Sequence, residues 1–309
     1  MSSEFSSQSG GFTDPLAPFD THDPKAVVQL LADATSANLD ANCRVGCIDR
    51  VQPIGALLAT GDLHDNPLNF ARVVQLARLD ASTADQPRHI TLHEVIHGST
   101  TMGIDFSHRA LLRVAALKRL HPELVHTLLA NHELSQIVGA GIVKDGVRVV
   151  DAFNEGVEQV YADEAPRVEE AINAFIRSMP LALISQTDER QGVLCAHSLP
   201  SPGMMSRFDT SVFDRRLADD DYEPRTGSAH LMVWGRHHKP EQLESLAAHW
   251  GVSLFVLGHQ QAESGWAIAP PNTVILNSDH ARGVALRINL ASPPTTPAQA
   301  LEGLEPLGA

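Results

Sequence analysis

The chain has 309 residues, of which 43% are hydrophobic and 19% charged, so it is long enough for a large core and has a globular composition. Its formal net charge of −14 at pH 7 argues against nucleic-acid or anionic-membrane binding, because phosphate groups would be repelled. The three cysteines, Cys43, Cys47 and Cys195, are too few for a disulfide framework, and their spacing does not favour a zinc site. Without a signal-peptide pattern or an apolar run of membrane-spanning length, a cytoplasmic protein is expected.

The composition divides the chain into three parts. Residues 1–23 are rich in Ser, Gly, Pro and Asp and predict a disordered arm. Residues 292–309 are rich in Pro and predict a flexible tail after the last strand. Between them, residues 24–291 contain no repeat, linker or break in composition, so a single folded domain is predicted.

The predicted elements of the folded part include helices and strands that alternate early in the chain. Apolar residues at three- and four-residue spacing predict helices, and short β-branched runs predict strands. In chain order, helices are predicted at residues 24–37, 67–80, 107–121, 168–179 and 240–251, the last ending at Gly251. Strands are predicted at residues 55–62, 88–96, 123–133, 192–198, 229–236, 253–260, 272–279 and 283–290. This order, with its run of strands late in the chain, predicts an α/β fold with two packed sheets.

Polar residues follow five of the predicted strands. They carry carboxylate, imidazole or amide groups, and they are Asp62, His64, His93, Glu94, Asn131, His132, Glu133, His197 and His259. Ligands of α/β folds gather at the carboxyl ends of strands, and these groups are typical metal ligands. One histidine at a strand end says little, but five such ends in one chain favour a metal centre.

The segment HEVIHG at residues 93–98 contains the H-E-x-x-H spacing that binds zinc in metalloproteases when it lies on a helix. The residues before it are β-branched, and the Gly-Ser-Thr-Thr run at 98–101 would end a helix at once. The segment is therefore predicted at the end of a strand, and a zinc protease is disfavoured.

These motifs resemble those of the calcineurin-like metallophosphoesterases, in particular the serine/threonine phosphoprotein phosphatase branch. The resemblance covers roughly residues 52–290 and rests on GDLH at 61–64, ANHE at 130–133, CAHS at 195–198 and GHQ at 258–260. HEVIHG stands where the family has G-D-x-x-D-R-G. The resemblance implies an α-β-β-α fold, a two-sheet β-sandwich flanked by helices. It also implies two divalent metal ions (Mn, Fe, Zn or Mg) that lower the pKa of a water between them.

The resemblance further implies roles for individual residues. The implied ligands of the first metal are Asp62 and His64, with Asp62 also bridging, and those of the second are Asn131, His197 and His259, while Glu94 is a further implied ligand. The implied catalytic residues are His132, His97 and Arg236. His132 would be the general acid that protonates the leaving oxygen. Arg236 would bind the phosphate through its planar guanidinium.

The second motif is altered, which leaves its alignment open. One alignment puts Glu94 at the bridging carboxylate and His97 at the Asp that orients the catalytic histidine; a shift by one residue puts His93 at the bridge. Glu94 is favoured, because a neutral imidazole offers only one lone pair. His97 cannot act as an anionic partner of His132, so a differently tuned acid is expected. The family's Arg is missing, so Arg236 or a nearby His would have to bind the phosphate.

The predicted function is hydrolysis of phosphomonoesters, in phosphoproteins or small molecules, with nucleotide substrates left open. The expected partner is a phosphorylated substrate, with neither nucleic acid nor membrane. The alternative is a catalytically impaired binding protein with a phosphatase fold, because the second motif is altered. Retention of the other implied ligands and of His132 favours the enzyme.

Overall fold

The computed structural model describes residues 12–139, 142–144, 146–187 and 191–308. The helices are α1 (Pro24–Leu39), α2 (Pro67–Ala77), α3 (His108–Leu120), α4 (Asn131–Val138), α5 (Val149–Tyr161), α6 (Ala165–Ser178), α7 (Asp219–Tyr222), α8 (Ser228–Val233), α9 (Pro240–Trp250) and α10 (Pro297–Ala300). The strands are β1 (Arg44–Val45), β2 (Ile48–Val51), β3 (Ala56–Thr60), β4 (Arg88–Leu92), β5 (Val125–Thr127), β6 (Val143–Lys144), β7 (Val147–Arg148), β8 (Ala182–Gln186), β9 (Gly192–Ala196), β10 (Leu254–Leu257), β11 (Trp266–Ala269), β12 (Thr273–Leu276), β13 (Val284–Asn289) and β14 (Leu304–Pro306).

Two sheets form the centre of the fold. The seven-stranded sheet has the order β1-β2-β8-β9-β10-β12-β11, and the five-stranded sheet has the order β14-β13-β3-β4-β5. Strands β3, β4 and β5 are parallel, as are β9, β10 and β12, so within each sheet their carboxyl ends share one edge. The predicted α/β fold with two sheets and flanking helices is confirmed.

Apolar side chains from the two sheets fill the space between them. Leu57 and Leu286 of the five-stranded sheet pack in one buried cluster with Val193 and Val256 of the seven-stranded sheet. Full burial of one such leucine contributes roughly 1.5–3 kcal/mol to folding. This core holds the strands rigidly, and therefore fixes the positions of the residues that follow their carboxyl ends.

The helices begin and end at residues whose chemistry suits those positions. The side chain of Asn66 accepts the backbone N–H of Asn69 at the start of α2, where Pro67 needs no hydrogen-bond partner. At the end of α9, Gly251 has a φ of 67°, so the predicted helix end is confirmed. These local signals account for the correct prediction of both helices.

One predicted strand is a helix. Residues 229–236 were predicted as a strand from a run of apolar residues, whereas the structure has α8 (Ser228–Val233) there. A short apolar run that is buried on all sides has no periodicity that separates a strand from a helix. The chain turns after α8 at Gly235, where a Cβ atom would collide with the backbone carbonyl of Leu199.

The two chain ends differ from their predictions within the described residues. Residues 1–11 of the predicted disordered arm lie outside the described residues, but Leu16 is buried and Phe12 packs on the core. In the predicted flexible tail, β14 pairs with β13, with Leu304 opposite Leu286. Composition alone does not reveal that a few apolar residues in each segment pack against the folded domain.

Candidate metal centre

The site lies beyond the carboxyl ends of strands from both sheets. Strand β3 leads to His64, β4 to Glu94, β5 to Asn131, β9 to His197 and β10 to His259. Of these residues, His64, Glu94 and His259 have positive φ angles of 41°, 48° and 65°. Residues other than glycine adopt this conformation uncommonly, and strained positions of this kind cluster at functional sites.

Residues 93–98, the HEVIHG segment, form a loop beyond β4 rather than a helix. The backbone N–H of His64 donates to the carbonyl of Glu94 at 2.8 Å. The backbone N–H of Val95 donates to Oε1 of Glu133 at 2.8 Å. These contacts hold the segment against two neighbouring strand ends. The predicted strand-end position is confirmed, and the segment lacks the helix that a zinc protease of this motif requires.

Glu94 lies at the centre of the site with its side chain between two groups of histidines. Its Oε1 lies 3.3 Å from Nε2 of His64, and its Oε2 lies 3.2 Å from Nε2 of His197. Although burial opposes ionisation, the imidazoles of His197 and His132 hold the pKa of the Glu94 carboxyl well below its usual value. Glu94 is therefore a buried carboxylate with one oxygen directed to each side.

On one side of Glu94, its side chain meets those of Asn131, His197 and His259, which makes a group of four. Nε2 of His197 lies 2.6 Å from Oδ1 of Asn131, 3.0 Å from Nδ1 of His259 and 3.2 Å from Oε2 of Glu94. All four residues are buried. Burial lowers the pKa of His259 to about 3, so its ring is neutral at pH 7, as a metal ligand must be.

His93 determines which nitrogen of His197 faces this group. Nε2 of His93 lies 2.8 Å from the carbonyl oxygen of Thr60, an atom that only accepts, so this nitrogen carries the hydrogen. Nδ1 of His93 then has a free lone pair, and Nδ1 of His197 donates to it at 3.0 Å. His197 therefore carries its hydrogen on Nδ1, and its Nε2 is bare.

The bare Nε2 of His197 faces the amide oxygen of Asn131 and a carboxylate oxygen of Glu94, which both only accept. A second proton on the ring does not resolve the conflict, because burial lowers the pKa of His197 well below its ordinary value. A cation resolves it, since every one of these atoms can then donate a lone pair. The mixed nitrogen and oxygen set suits a first-row divalent metal, so the residues fit the implied ion.

His64 lies on the other side of Glu94. Its Nδ1 lies 3.0 Å from Oδ2 of Asp279, which resembles the carboxylate–histidine pairs that orient metal ligands. Although burial alone would lower it, hydrogen bonds to Asp279 and Glu94 raise the pKa of the His64 imidazole to about 10. Binding of a metal by Nε2 would therefore displace a proton from this ring.

Asp62 lies beside the centre with contacts of its own. Its carboxylate oxygens accept the backbone N–H of His259 at 2.9 and 3.2 Å, and its Oδ1 lies 3.5 Å from Nδ1 of His197. Burial and the charge of Glu94 raise the pKa of Asp62 well above its usual value. Asp62 and His64 belong to different sets of neighbouring ligand atoms, so their holding one ion together stays a prediction.

His132, the predicted acid, is the second residue of α4. Its Nε2 lies 3.8 Å from Oε1 of Glu94, and its Nδ1 lies 3.1 Å from Nδ1 of His97. Burial, with a further effect from His132, lowers the pKa of His97 to about 3, so His97 is uncharged at pH 7. The partner of His132 is therefore a neutral ring.

Two cations lie near the site. Arg236 is exposed just beyond α8, and Lys144 is exposed on the β6–β7 hairpin. Burial lowers the pKa of His132, and the charges of His64, Lys144 and Arg236 lower it further against the opposing effect of Glu94. A cavity of about 680 Å³ is lined by Lys144 and His64, among others, and opens beside the centre.

Sequence reasoning missed three residues of the site. Asp279 follows β12, so the strand-end pattern that found the other residues could also have found it. Gln136 contacts His97 at 3.0 Å and Lys144 lies on a hairpin, and neither position carries a signal in the sequence. Both depend on how distant segments pack together.

The fold is that of known phosphatases. A protein serine/threonine phosphatase from Saccharomyces cerevisiae matches with a TM-score of 0.60 and 16% identity, covering 86% of this chain and 82% of that chain. A cold-active protein-tyrosine phosphatase of a Shewanella species matches with a TM-score of 0.56 and 15% identity, covering 82% and 81%. No family model matches the chain, and neither does any curated protein.

The predicted resemblance to a phosphatase is confirmed at the level of the fold, which these structures share with the chain. The chain combines this fold with His, Asp and Glu clusters that can bind metal. Among the described residues, no helix is long and apolar enough to cross a membrane.

Proposed function

We propose that this protein is a metal-dependent phosphatase that hydrolyses phosphomonoesters with two divalent metal ions. The observation that carries the proposal is the buried meeting of Glu94, Asn131, His197 and His259 at the strand ends of a phosphatase fold. Bare acceptor atoms face each other there, which is unfavourable unless a cation lies among them.

Glu94 is the residue best suited to lie between the two ions. It reaches His64 with one carboxylate oxygen and His197 with the other. His93 is less suited, because its only free nitrogen already accepts the hydrogen of His197. Divalent ions bound by these residues would supply an activated water and would neutralise charge on the phosphoryl oxygens.

The other residues act on the two ends of the substrate. Nε2 of His132 faces the site, and its proton would pass to the leaving oxygen, an effect worth roughly 10²–10⁴-fold in rate. Arg236 and Lys144 would hold the phosphate by their positive charge, with Lys144 supplying a cation where the family's second-motif Arg is missing. The adjacent cavity of about 680 Å³ has room for more than a phosphate group, so a small phosphomonoester or a phosphorylated side chain fits there.

A second candidate function is a phosphatase-fold protein that binds its ligand without turnover. The neutral His97 favours it, because an uncharged partner stabilises a protonated His132 less than a carboxylate would. The group of metal-ligand atoms around His197 favours the enzyme instead. A protein that only binds its phosphorylated ligand would not require these atoms.

Hydrolysis of p-nitrophenyl phosphate separates the two functions. The wild-type protein, freed of metal and then supplied with Mn²⁺, Zn²⁺, Fe²⁺ or Mg²⁺, should hydrolyse it with at least one of these ions. His132→Ala should lower the rate by roughly 10²–10⁴-fold on a substrate with a poor leaving group. His249→Ala, which changes an exposed histidine away from the site, is the control. If no ion supports hydrolysis by the wild-type protein, the enzyme proposal is wrong and the binding protein remains.

A further inference from the structure

A chain of three hydrogen bonds leads from His132 into the protein. Nδ1 of His132 lies 3.1 Å from Nδ1 of His97, and Nε2 of His97 lies 3.0 Å from Oε1 of Gln136. Nε2 of Gln136 in turn donates to Oδ1 of Asn154 at 2.6 Å. His97, His132 and Gln136 are all buried, so water does not compete strongly for these bonds.

The direction of each bond follows from Gln136. Its amide nitrogen is used by Asn154, so its Oε1 faces His97, and an amide oxygen only accepts. His97 must therefore carry its hydrogen on Nε2, which leaves Nδ1 bare. The bare Nδ1 accepts the hydrogen on Nδ1 of His132. Nε2 of His132 is thus left to face Glu94 and the site.

His97 is held in the orientation that this chain requires. Its backbone N–H donates to Oγ of Ser107 at 2.9 Å. Its ring packs edge-on against Phe153, with ring centroids 5.6 Å apart. Because the ring is fixed on both sides, Gln136 sets which nitrogen carries the hydrogen rather than where the ring lies.

We propose that Gln136 is a positioning residue that, through His97, keeps Nε2 of His132 directed at the leaving oxygen of the substrate. This proposal rests on the proposed phosphatase function. In the step concerned, the oxygen of an attacking water bonds to phosphorus and gives a proton to solvent, while the bond from phosphorus to the leaving oxygen breaks. His132, which carries hydrogen on both ring nitrogens before the step, gives its Nε2 proton to that leaving oxygen. His132 retains its Nδ1 hydrogen, bonded to His97, and Nε2 takes up a new proton from solvent. An uncharged His–Gln pair thus orients the acid, without the carboxylate that the family's second motif has.

The test compares two substrates that differ in their need for an acid. p-Nitrophenyl phosphate has a weakly basic leaving oxygen and needs little protonation, whereas phenyl phosphate has a more basic one. Gln136→Leu removes the acceptor, and it should lower kcat on phenyl phosphate by on the order of tenfold while changing kcat on p-nitrophenyl phosphate much less. Gln136→Glu keeps an acceptor oxygen and should retain most of the phenyl phosphate activity. In a His132→Ala background, Gln136→Leu should cause no further loss.

Two kinetic outcomes would overturn the proposal. One is an equal loss on both substrates, which is the result expected of a purely structural residue. The other is full activity of Gln136→Leu on phenyl phosphate.

A second measurement does not depend on activity. The ¹⁵N chemical shifts of the imidazoles in the metal-free protein show which nitrogen of each ring carries hydrogen. His97 should be protonated on Nε2 and His132 on Nδ1, and Gln136→Leu should mix the two forms of His97. A His97 ring protonated on Nδ1 in the wild-type protein would overturn the inference even if the enzyme is active. An inactive protein with the expected shifts would instead refute the phosphatase function and leave the geometry intact.

Discussion

Two buried histidine clusters lie at opposite ends of the five-stranded sheet. One surrounds Glu94 beyond the carboxyl ends of the strands. The other lies towards their amino ends, where His89 near the start of β4 contacts His126 of β5, and His126 contacts Asp49 of β2. Both clusters contain neutral rings in an apolar interior, yet they differ in how their hydrogen bonds are matched.

Every contact in the amino-end cluster joins a donor to an acceptor. Asp49 accepts from Nε of Arg44 and from Nδ1 of His126, each at 2.7 Å. Nε2 of His126 is then bare and accepts from Nδ1 of His89 at 3.0 Å. Ligand atoms of Cys43, Asp49 and His126 lie close enough for an ion, but the positive charges of Arg44 and the buried Lys118 would repel one. Nη2 of Arg44 is buried here without a partner, but it is a donor that no cation can satisfy, so the acceptors of this cluster are complete without a metal.

The cluster around Glu94 is not complete in this way. Bare Nε2 of His197 faces the acceptor oxygens of Asn131 and Glu94. The comparison teaches that burial and clustering of histidines do not identify a metal site. A metal site is identified instead by acceptor atoms that face one another without a hydrogen between them.

The largest expected effect is at Glu94. Glu94→Gln removes the negative charge between His64 and His197, so the protein should lose most of its bound metal and at least roughly 10²-fold of its hydrolytic rate. Metal content and hydrolysis of p-nitrophenyl phosphate measure both effects. Glu133→Gln is the matched control, because an amide oxygen can still accept the backbone N–H of Val95. Equal loss of metal in both variants would mean that Glu94 is not a ligand.

Asp49 should show the opposite pattern. Asp49→Ala leaves Arg44 and His126 buried without their acceptor, so we expect a loss of about 3–5 kcal/mol in the free energy of unfolding. Metal content per folded molecule should not change. Chemical denaturation of the metal-free protein measures the stability, and its metal uptake at a temperature where the variant is folded measures the second effect. If the variant keeps the wild-type free energy of unfolding but binds less metal, this cluster contributes a metal ligand.

The sequence predicted the cluster around Glu94 only in part. Strand ends place Glu94, Asn131 and His197 together, because hydrophobic strands and the polar residues after them are visible in the sequence. The resemblance predicted that His97 lies at the position that orients His132, but the hydrogen positions on the rings of His93 and His97 were not predictable. They depend on the acceptors behind these rings, the Thr60 carbonyl and the Gln136 amide, which come from other segments.

The fold was predictable to a similar extent. Among the described residues, α1, α2, α3, α6 and α9 and seven of the fourteen strands follow from periodicity, which reports local structure, whereas the amphipathic α5 was not predicted. α8 was missed because its apolar run is almost entirely buried, and α4 was missed because it is only eight residues long. The predicted strand at 123–133 ends as β5 at Thr127, since the chain must leave the sheet to place Asn131 at the start of α4.

His93 offers a finer test of the donor–acceptor argument. His93→Phe keeps an aromatic ring but removes the acceptor for Nδ1–H of His197, so His197 can present either nitrogen to the metal. Metal affinity should fall by roughly 10–100-fold, as when other partners of ligating histidines are removed. Titration of the metal-free protein with Mn²⁺ or Zn²⁺ measures it. Unchanged affinity would show that His197 is oriented without His93.

The pH dependence of stability tests the neutrality of the amino-end cluster. Burial lowers the pKa of His89 from 6.5 to about 3, so the unfolded chain binds more protons than the folded one between these values. Stability contributed by His89 is therefore complete above pH 6.5 and is lost as the pH falls. Between pH 6.5 and pH 5, wild type should lose about 2 kcal/mol more than His89→Gln, which does not titrate. Denaturation curves at both pH values measure this difference, and identical losses would mean that His89 is charged in the folded protein.

Lys144 should have the smallest effect, because it is exposed and acts through charge alone. Lys144→Met keeps most of the length of the side chain and removes the cation beside the cavity that His64 lines. KM for phenyl phosphate should rise by about threefold to tenfold, with less change in kcat, and the difference should shrink at high salt as screening weakens the contact. Arg148→Met, on the same hairpin but paired with Asp151, is the control and should leave KM unchanged. If the two variants behave alike, the hairpin contributes no specific charge to phosphate binding, and Arg236 is left as the cation that replaces the missing arginine.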